Sequence, residues 1–456
     1  MKSILINIGR KPLANFRFWL PILALTLVGF HLTISRQLIV LVAQPVKVAY
    51  GLSDTQLGGI VSVAGIVVAL AGPFLGQIAD MFDRHKLLAV NVLIWAISTA
   101  AYSVSGSYMA LMLSFVMMAA SGSFIGPVSS SLIADRYRGS DRVTANLTFF
   151  AAGMMTAGGA TLVASLLLAL TAQYVIMAFP IYDPGNYWRL TLALVAIAGA
   201  PLAAAFWALG ADPRPPRTRL ADDAKLLLNY WSTHWRTFLP FCLAHGTFSI
   251  AAMAIMGWTP IYIVRQYGLT PAELGVQLGT VILTADVFGI IFGLALIKTL
   301  HRRFGIISLR LVFQWSLVPS AALVLALPLA QSAEEVLLLL GLMNLLATIG
   351  AAGCINMLQE ITPAAVRGKI YGVFVLIGAT IVLPGPLLVG ILSDFIGEGA
   401  GGLLRSVIIV TICALTICFI LYASTNKSYV KMASETRAQE LASFSTSQID
   451  GLKSPI

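Results

Sequence analysis

Charged residues are scarce in this chain of 456 residues. They make up 11% of the sequence, whereas hydrophobic residues make up 58% and the mean hydropathy is +0.88. Ordinary soluble domains contain roughly 25% charged residues. So little charge excludes a soluble globular protein and predicts an integral membrane protein.

Cysteines and catalytic motifs are scarce as well. The four cysteines, Cys242, Cys354, Cys413 and Cys418, lie in apolar segments without the CxxC or CxxH spacing of metal sites. Buried thiols are therefore favoured over a metal site or a disulfide framework. The sequence also lacks the motifs G-x-S-x-G and H-E-x-x-H and has no paired carboxylates within a span. We therefore expect neither an enzyme nor a bound cofactor or metal.

Long apolar segments, by contrast, are abundant. A transmembrane helix needs about 20 apolar residues, and segmentation by length and hydropathy gives a series of candidate spans. These twelve spans are residues 18–43, 55–79, 87–105, 107–134, 143–173, 188–210, 236–266, 272–299, 305–330, 333–361, 366–394 and 402–424. The basic N-terminal residues lead into a run too long for a signal peptide, so we expect the first span to stay in the membrane.

Lysine and arginine are distributed unevenly between the loops. With a cytoplasmic N-terminus, the inward segments contain 24 of the 29 Lys and Arg residues, the outward loops contain four, and the last is Arg36 within span 1. By the positive-inside rule, both termini are predicted to be cytoplasmic. The net charge of +10 follows from this topology, and we expect no nucleic-acid partner. The expected location is a bacterial inner membrane.

The longest polar interruption lies between spans 6 and 7 and divides the spans into two sets of six. We predict an N-terminal bundle over 1–210, a linker over 211–235 and a C-terminal bundle over 236–426. Apolar and polar residues are mixed over 225–235, which favours a short amphipathic helix at the cytoplasmic interface. The tail, 427–456, is rich in Ser, Thr, Gln and Glu and is predicted to be disordered.

The loop between spans 2 and 3 contains Gly76, Asp80 and Arg84. It resembles the major facilitator motif G-x-L-x-D-R-x-G-R-R/K, although Met81 stands at the first arginine and Asp83 at the second glycine. An acid here can pair with a basic loop residue and cap a neighbouring helix, which biases a two-state transporter toward one conformation. The resemblance implies an all-α membrane protein with twelve transmembrane helices in two six-helix bundles, the major facilitator fold.

Further motifs resemble the Spinster-like branch of that superfamily. The matching residues are Arg36-Gln37, Pro45-Val46-Lys47, Leu52-Ser53-Asp54 with Gly58, Pro127 with Ser131 to Asp135 and Arg142, Trp258-Thr259-Pro260, Leu358 to Pro363 with Arg367-Gly368, and Gly385 to Asp394. Following this resemblance, we expect gating roles for Gly76, Asp80, Arg84, Asp135, Arg142, Arg367 and Asp394.

Several charged residues of that branch are replaced in this chain. Its acids correspond to Ser35, Gln44, Ala49 and Gly122, and its span 4 arginine corresponds to Phe115. The carboxylates that the resemblance would assign to proton coupling are therefore mostly missing. We expect atypical or absent proton coupling through span 1.

Arg36 remains, and an arginine within an apolar span is costly enough to need a function or a partner. Its guanidinium stays charged, so it either anchors a substrate anion or pairs with Asp286, the only acid deep within a span. Asp286 has three open interpretations. It pairs with Arg36, it carries the coupling proton, or it is a packing acid that accepts hydrogen bonds.

Other polar residues within the spans complete the candidate set. Five residues of helix separate His31 from Arg36, so their side chains point about 140° apart, which favours a packed histidine. Asn344 and Asn356 either line the pathway or bond between helices. The candidate substrate-binding residues are Arg36, Gln37, His31, Asn344, Asn356 and Trp258.

We predict a monomeric secondary transporter that moves a small organic solute, anionic or amphipathic, across a lipid bilayer by alternating access. Two alternatives stay open. One is a membrane sensor or receptor that has the transporter fold but does not transport. The other is a symporter of protons with a carboxylate or sugar acid on the same scaffold, since a fold does not determine its substrate.

Overall fold

The computed structural model describes residues 16–137, 139–175, 186–208, 221–351, 353–363, 366–397 and 399–438. Within these ranges the secondary structure is helical, with turns between the helices and no β-strand. A bilayer offers no hydrogen-bond partner to the backbone, and a helix satisfies its own N–H and C=O groups. The apolar composition and the helical structure therefore have the same physical cause.

The described residues of the first half of the chain form eight α-helices. They are α1 (Phe16–Leu41), α2 (Ala43–Tyr50), α3 (Asp54–Met81), α4 (Arg84–Ser103), α5 (Tyr108–Gly122), α6 (Ile125–Arg136), α7 (Gly139–Leu170) and α8 (Tyr187–Ala208). Predicted span 4 is thus broken into α5 and α6. Between α2 and α3 the chain bends by 118° at Gly51, whose φ of 60° is a conformation that glycine adopts without steric cost.

The described residues of the second half form nine further α-helices. They are α9 (Ala221–Tyr267), α10 (Pro271–Phe304), α11 (Ser308–Ala326), α12 (Ala333–Ala351), α13 (Cys354–Glu360), α14 (Arg367–Val382), α15 (Pro384–Ile396), α16 (Ala400–Ser424) and α17 (residues 426–438). Spans 10 and 11 are each broken in two. Proline at the start of α15 explains the second break, because it lacks the N–H that would continue α14.

The linker does not contain the separate short helix predicted over 225–235. These residues form the first turns of α9, which is 47 residues long and continues without a break through span 7. The prediction was wrong because the first proline after Ala221 is Pro240 and the first glycine is Gly246. Neither a helix breaker nor a turn residue separates the linker from the span.

The predicted disorder of the tail is also wrong over 427–438, which lie in α17. Tyr429, Met432 and Ala433 are buried on one face of this helix. Their spacing of three and four residues is that of an amphipathic helix. Residues 439–456 lie outside the described part of the chain.

Nine apolar segments in the described ranges are long enough to cross a membrane, and the bent pair α2 and α3 makes a tenth if it is one span. One of the nine, Pro271–Leu329, contains both α10 and α11. Each of the twelve predicted spans coincides with a helix or with a broken pair of helices.

The chain divides into two compact units. Unit 1 contains Met1–Pro216 together with Met256–Thr284 and Pro386–Ser406, and unit 2 contains Arg217–Ile255, Ala285–Gly385 and Val407–Ile456. Large aromatic residues are buried in both, for example Trp95 and Trp188 in unit 1 and the cluster around Phe241 and Tyr422 in unit 2. The boundaries of the two predicted six-helix bundles stay a prediction.

Candidate functional site

Arg36 lies in α1, and its side chain is exposed. The guanidinium is next to the last residue of α5, since a Cβ atom on Gly122 would lie 2.5 Å from Nη2 of Arg36. Among the described residues, no carboxylate lies within salt-bridge distance of it. The apolar helix α1 therefore presents a positive charge that has no described counterion.

One neighbour of Arg36 is buried, and the other is hydrogen-bonded to a neighbouring helix. The Ser35 side chain is completely buried, and the Gln37 amide Nε2 donates to the Ala157 carbonyl oxygen of α7 at 3.3 Å. Of these three neighbouring polar residues, Arg36 is the one that is exposed.

His31 and Trp258 are packed inside unit 1. The His31 ring stands edge-on to the Trp95 ring of α4, with 5.0 Å between the centroids. A Cβ atom on Gly199 of α8 would lie 3.6 Å from His31 Nε2. His31 is thus surrounded by different helices from Arg36, and its side chain is buried. Only 3% of the surface of Trp258 in α9 is exposed to solvent. Both side chains are thus buried, and their expected contact with a substrate stays a prediction.

A buried cluster of charged and polar residues joins the ends of several helices. The distribution of lysine and arginine predicts that these ends, called the outer ends, face away from the cytoplasm. The carboxylate of Asp54 is fully buried and accepts from Lys47 Nζ at 2.7 Å, from Arg265 Nη1 at 2.8 Å and from Ser393 Oγ at 2.7 Å. Arg265 Nε also donates to Gln44 Oε1 at 2.7 Å. These five residues, the outer cluster, connect α2, α3, α9 and α15.

Asp394 strengthens the same junction. Its two carboxylate oxygens accept from the backbone N–H groups of Asp54 at 2.9 Å and Thr55 at 2.8 Å, which are free at the start of α3. The backbones approach closely here, because a Cβ on Gly390 would lie 2.3 Å from the Asp54 carbonyl oxygen. Asp394 thus caps the start of α3, and its gating role stays a prediction.

Sequence reasoning missed the outer cluster as a site. It counted Lys47 and Arg265 as outward charges and used Asp54 in a motif match. The available signal was that the cations Lys47 and Arg265 lie next to the outer ends of spans 1 and 7, while the acids Asp54 and Asp394 lie next to the outer ends of spans 2 and 11.

Asp286, the acid predicted to lie deep within span 8, belongs to α10 and to unit 2. Its Oδ1 accepts from Asn344 Nδ2 at 2.8 Å and from Thr348 Oγ1 at 3.0 Å, both on α12. The side chain is buried to 8% exposure, and both donors are neutral. Asn344 therefore bonds between helices, whereas Asn356 is exposed.

The cytoplasmic gating motif is only partly described. Arg84 is buried and begins α4, and Asp83 caps that helix by accepting from the N–H groups of His85 and Lys86. The helix-capping acid is thus Asp83, which stands where the family motif has its second glycine. The side chains of the other predicted gating residues lie outside the described part of the chain. They are Gly76, Asp80, Asp135, Arg142 and Arg367.

A second arginine lies within an apolar helix. Arg310 of α11 is completely buried. It donates to the Tyr422 carbonyl oxygen and the Thr425 hydroxyl. Its guanidinium carbon lies 5.0 Å from the Tyr422 ring centroid and 4.9 Å from that of Tyr429.

Comparison with known families places these sites in context. The model of the Major Facilitator Superfamily matches residues 25–314. The chain belongs to the major facilitator superfamily. It is therefore a multi-pass membrane transporter, and the family and fold predicted from the motifs are confirmed.

Similar proteins within the superfamily include a relative with a stated activity. An MFS-type efflux pump of Mycolicibacterium smegmatis is 24% identical over 390 residues, which cover 84% of this chain and 86% of the pump. A bacterial homolog of the human lysosomal transporter Spinster, inward-facing and unoccupied, has a TM-score of 0.77 at 20% identity, with 93% of this chain and 99% of the homolog covered.

Other facilitators share the fold as well. A D-xylose–proton symporter has a TM-score of 0.67 at 16% identity, with 89% of this chain and 97% of the symporter covered. At these identities the solved structures establish the fold alone. Substrate and coupling must be argued from the residues of this chain.

Proposed function

We propose that this major facilitator moves a small organic anion, polar or amphipathic, across a bacterial inner membrane by alternating access. The observation that supports it is the exposed guanidinium of Arg36, which lacks a described counterion. A charge at this depth is costly, and a ligand anion in a hydrated pathway offsets that cost. A guanidinium binds a carboxylate or phosphate with two parallel hydrogen bonds, which a lysine cannot do.

Alternating access requires contacts that form in one state and break in the other. The outer cluster supplies such contacts, because Asp54 joins the outer ends of four helices through Lys47, Arg265 and Ser393. Opening the pathway at this side requires these bonds to break. The buried ions would then gain water, which offsets part of the lost attraction.

Proton coupling through span 1 is absent in this proposal. Coupling there would need a carboxylate near Arg36, and the neighbouring positions hold Ser35 and Gly122. Asp286 is then the coupling candidate of the chain, since a carboxylate held by two neutral donors gains or loses a proton without first breaking an ion pair.

Transport by proteoliposomes containing Arg36 variants tests the anion site. The labelled probes are phenyl phosphate, glucuronate and lysophosphatidate, with glucose as the uncharged match to glucuronate. We expect at least one anion to be transported, Arg36→Lys to lower its rate at least about tenfold, and Arg36→Ala to abolish transport, since the bidentate contact is lost. The amount of inserted protein should stay unchanged.

Unaltered anion transport by Arg36→Ala would refute the site. Binding of an anion by the wild-type protein without transport would support the sensor alternative. For the alternative pairing with Asp286, the double variant Arg36→Ala/Asp286→Ala should recover the stability that each single variant loses. Recovery of transport as well would exclude the anchor role.

A further inference from the structure

Gly122 is in direct contact with the Arg36 guanidinium. A Cβ atom at this position would lie 2.5 Å from Nη2 and 3.6 Å from Cζ of Arg36. Carbon and nitrogen atoms that are not bonded need well over 3 Å. The observed position of the guanidinium is therefore compatible with glycine at position 122 and with no larger residue.

The glycine also leaves the guanidinium without a side-chain partner from α5. Gly122 is the last residue of that helix, and the C-terminal end of a helix has a partial negative charge that favours a nearby cation. This partial charge attracts the guanidinium without neutralising it. The hydrogen-bond donors of Arg36 stay available, and no described residue uses them.

We propose that Gly122 is a specificity-determining residue, which keeps Arg36 open to a substrate with a carboxylate or phosphate group. This inference rests on the proposed function. A neutral side chain at position 122 displaces the guanidinium but leaves its charge. An acidic side chain forms an ion pair with Arg36 and thereby replaces the substrate anion.

Arginine modification tests the inference without knowledge of the substrate. The full-length protein in nanodiscs is treated with phenylglyoxal, which reacts with the unprotonated guanidine, and modification of Arg36 is followed by peptide mass spectrometry. We compare the wild type with Gly122→Glu and with Gly122→Gln, which has the same size but no charge. Because a carboxylate stabilises the protonated guanidinium, Gly122→Glu should react at least about tenfold more slowly than Gly122→Gln.

Two results would overturn the proposal. One is equal Arg36 reactivity of Gly122→Glu and Gly122→Gln, which would mean that the effect of position 122 is steric or nil. The other is an unreactive Arg36 in the wild type, which would mean that the guanidinium is not open to a ligand. Since neither result depends on transport, the modification assay separates failure of this inference from failure of the proposed function.

Transport gives the second arm of the experiment. With phenyl phosphate, glucuronate and lysophosphatidate as probes, Gly122→Glu should lose anion transport, whereas Gly122→Gln should keep a measurable part of it. Adding the transported anion should protect Arg36 of the wild type from phenylglyoxal and should not change modification of Gly122→Glu. Anion transport by Gly122→Glu at the wild-type rate would contradict the specificity role even if Arg36 were less reactive.

Discussion

The two arginines within apolar helices differ in what surrounds them. Arg310 is completely buried, donates to a carbonyl oxygen and a hydroxyl, and lies next to two tyrosine rings. A buried charge needs such partners, because removing it from water costs several kcal/mol. Arg36 is exposed and lacks a described counterion. Arg310 thus has its partners within the protein, whereas the binding of a substrate anion by Arg36 is our proposal.

At the same scale, Asp286 variants separate coupling from packing. Asp286→Asn keeps an acceptor oxygen for Asn344 and Thr348, so thermal stability should change little. Asp286→Ala leaves the half-buried amide of Asn344 without its acceptor and should lower the free energy of unfolding by about 1–3 kcal/mol. If Asp286 carries the coupling proton, Asp286→Asn should abolish accumulation driven by a pH gradient in proteoliposomes while exchange continues. Full proton-driven accumulation by this variant would assign coupling to another group.

At the scale of helices, close packing of α3 against α15 depends on Gly390. A Cβ there would lie 2.3 Å from the Asp54 carbonyl oxygen, which is rigid backbone. Gly390→Ala should therefore disfavour the closed outer end and lengthen the distance between spin labels at Val48 and Gln266, which are both exposed in unit 1. Double electron–electron resonance measures this distance.

Gly378→Ala is the matched control. No atom lies within 4 Å of a Cβ at Gly378, and alanine is the better helix former by about 1 kcal/mol. The label distance should stay at the wild-type value in this variant. A wild-type distance in Gly390→Ala as well would show that the closed end tolerates the extra methyl group.

Tyr429 connects the tail helix α17 to the rest of unit 2. Its hydroxyl donates to Glu360 Oε2 at 2.8 Å, and its ring lies beside Arg310. Burial raises the pKa of the Tyr429 hydroxyl well above its usual range, so the phenol remains a donor at neutral pH. Tyr429→Phe should lower the free energy of unfolding by about 1–2 kcal/mol, visible as a lower Tm.

Lys431→Ala provides the comparison within the same helix. Lys431 forms an ion pair of 3.9 Å with Glu435, and both side chains are exposed. Such pairs contribute less than about 1 kcal/mol. If Lys431→Ala lowered the Tm as much as Tyr429→Phe, the proposed anchoring by Tyr429 would be wrong.

At the scale of the whole molecule, the outer cluster joins helix ends that the distribution of lysine and arginine predicts to lie on the same side of the membrane. The cluster brings together residues next to the outer ends of spans 1, 2, 7 and 11, which the segmentation had placed on one side. Fusions to the C-terminus should therefore be fluorescent with green fluorescent protein and inactive with alkaline phosphatase, which needs an oxidising compartment. Fusions inserted after Gly106, between spans 3 and 4, should give the opposite result. An active phosphatase at the C-terminus would overturn the predicted topology.

The sequence alone was sufficient for the class of protein and the positions of the spans. Apolar runs of about 20 residues and an uneven distribution of lysine and arginine are consequences of the bilayer itself, so they are visible without any tertiary contact. Arg36 was found for the same reason, since an arginine in such a run is an exception. Two local features escaped, namely the helical face of Tyr429, Met432 and Ala433 and the continuity of α9.

Only the tertiary structure decided what each polar residue does. It placed Asp54 of α3 between Lys47 of α2 and Arg265 of α9, which are separated by 218 positions in the chain. It also placed Arg36 against Gly122 rather than against a carboxylate. Local sequence reports burial and periodicity along one helix, whereas the partner of a charge lies on another helix. That partner, or its absence, is fixed only when the helices pack.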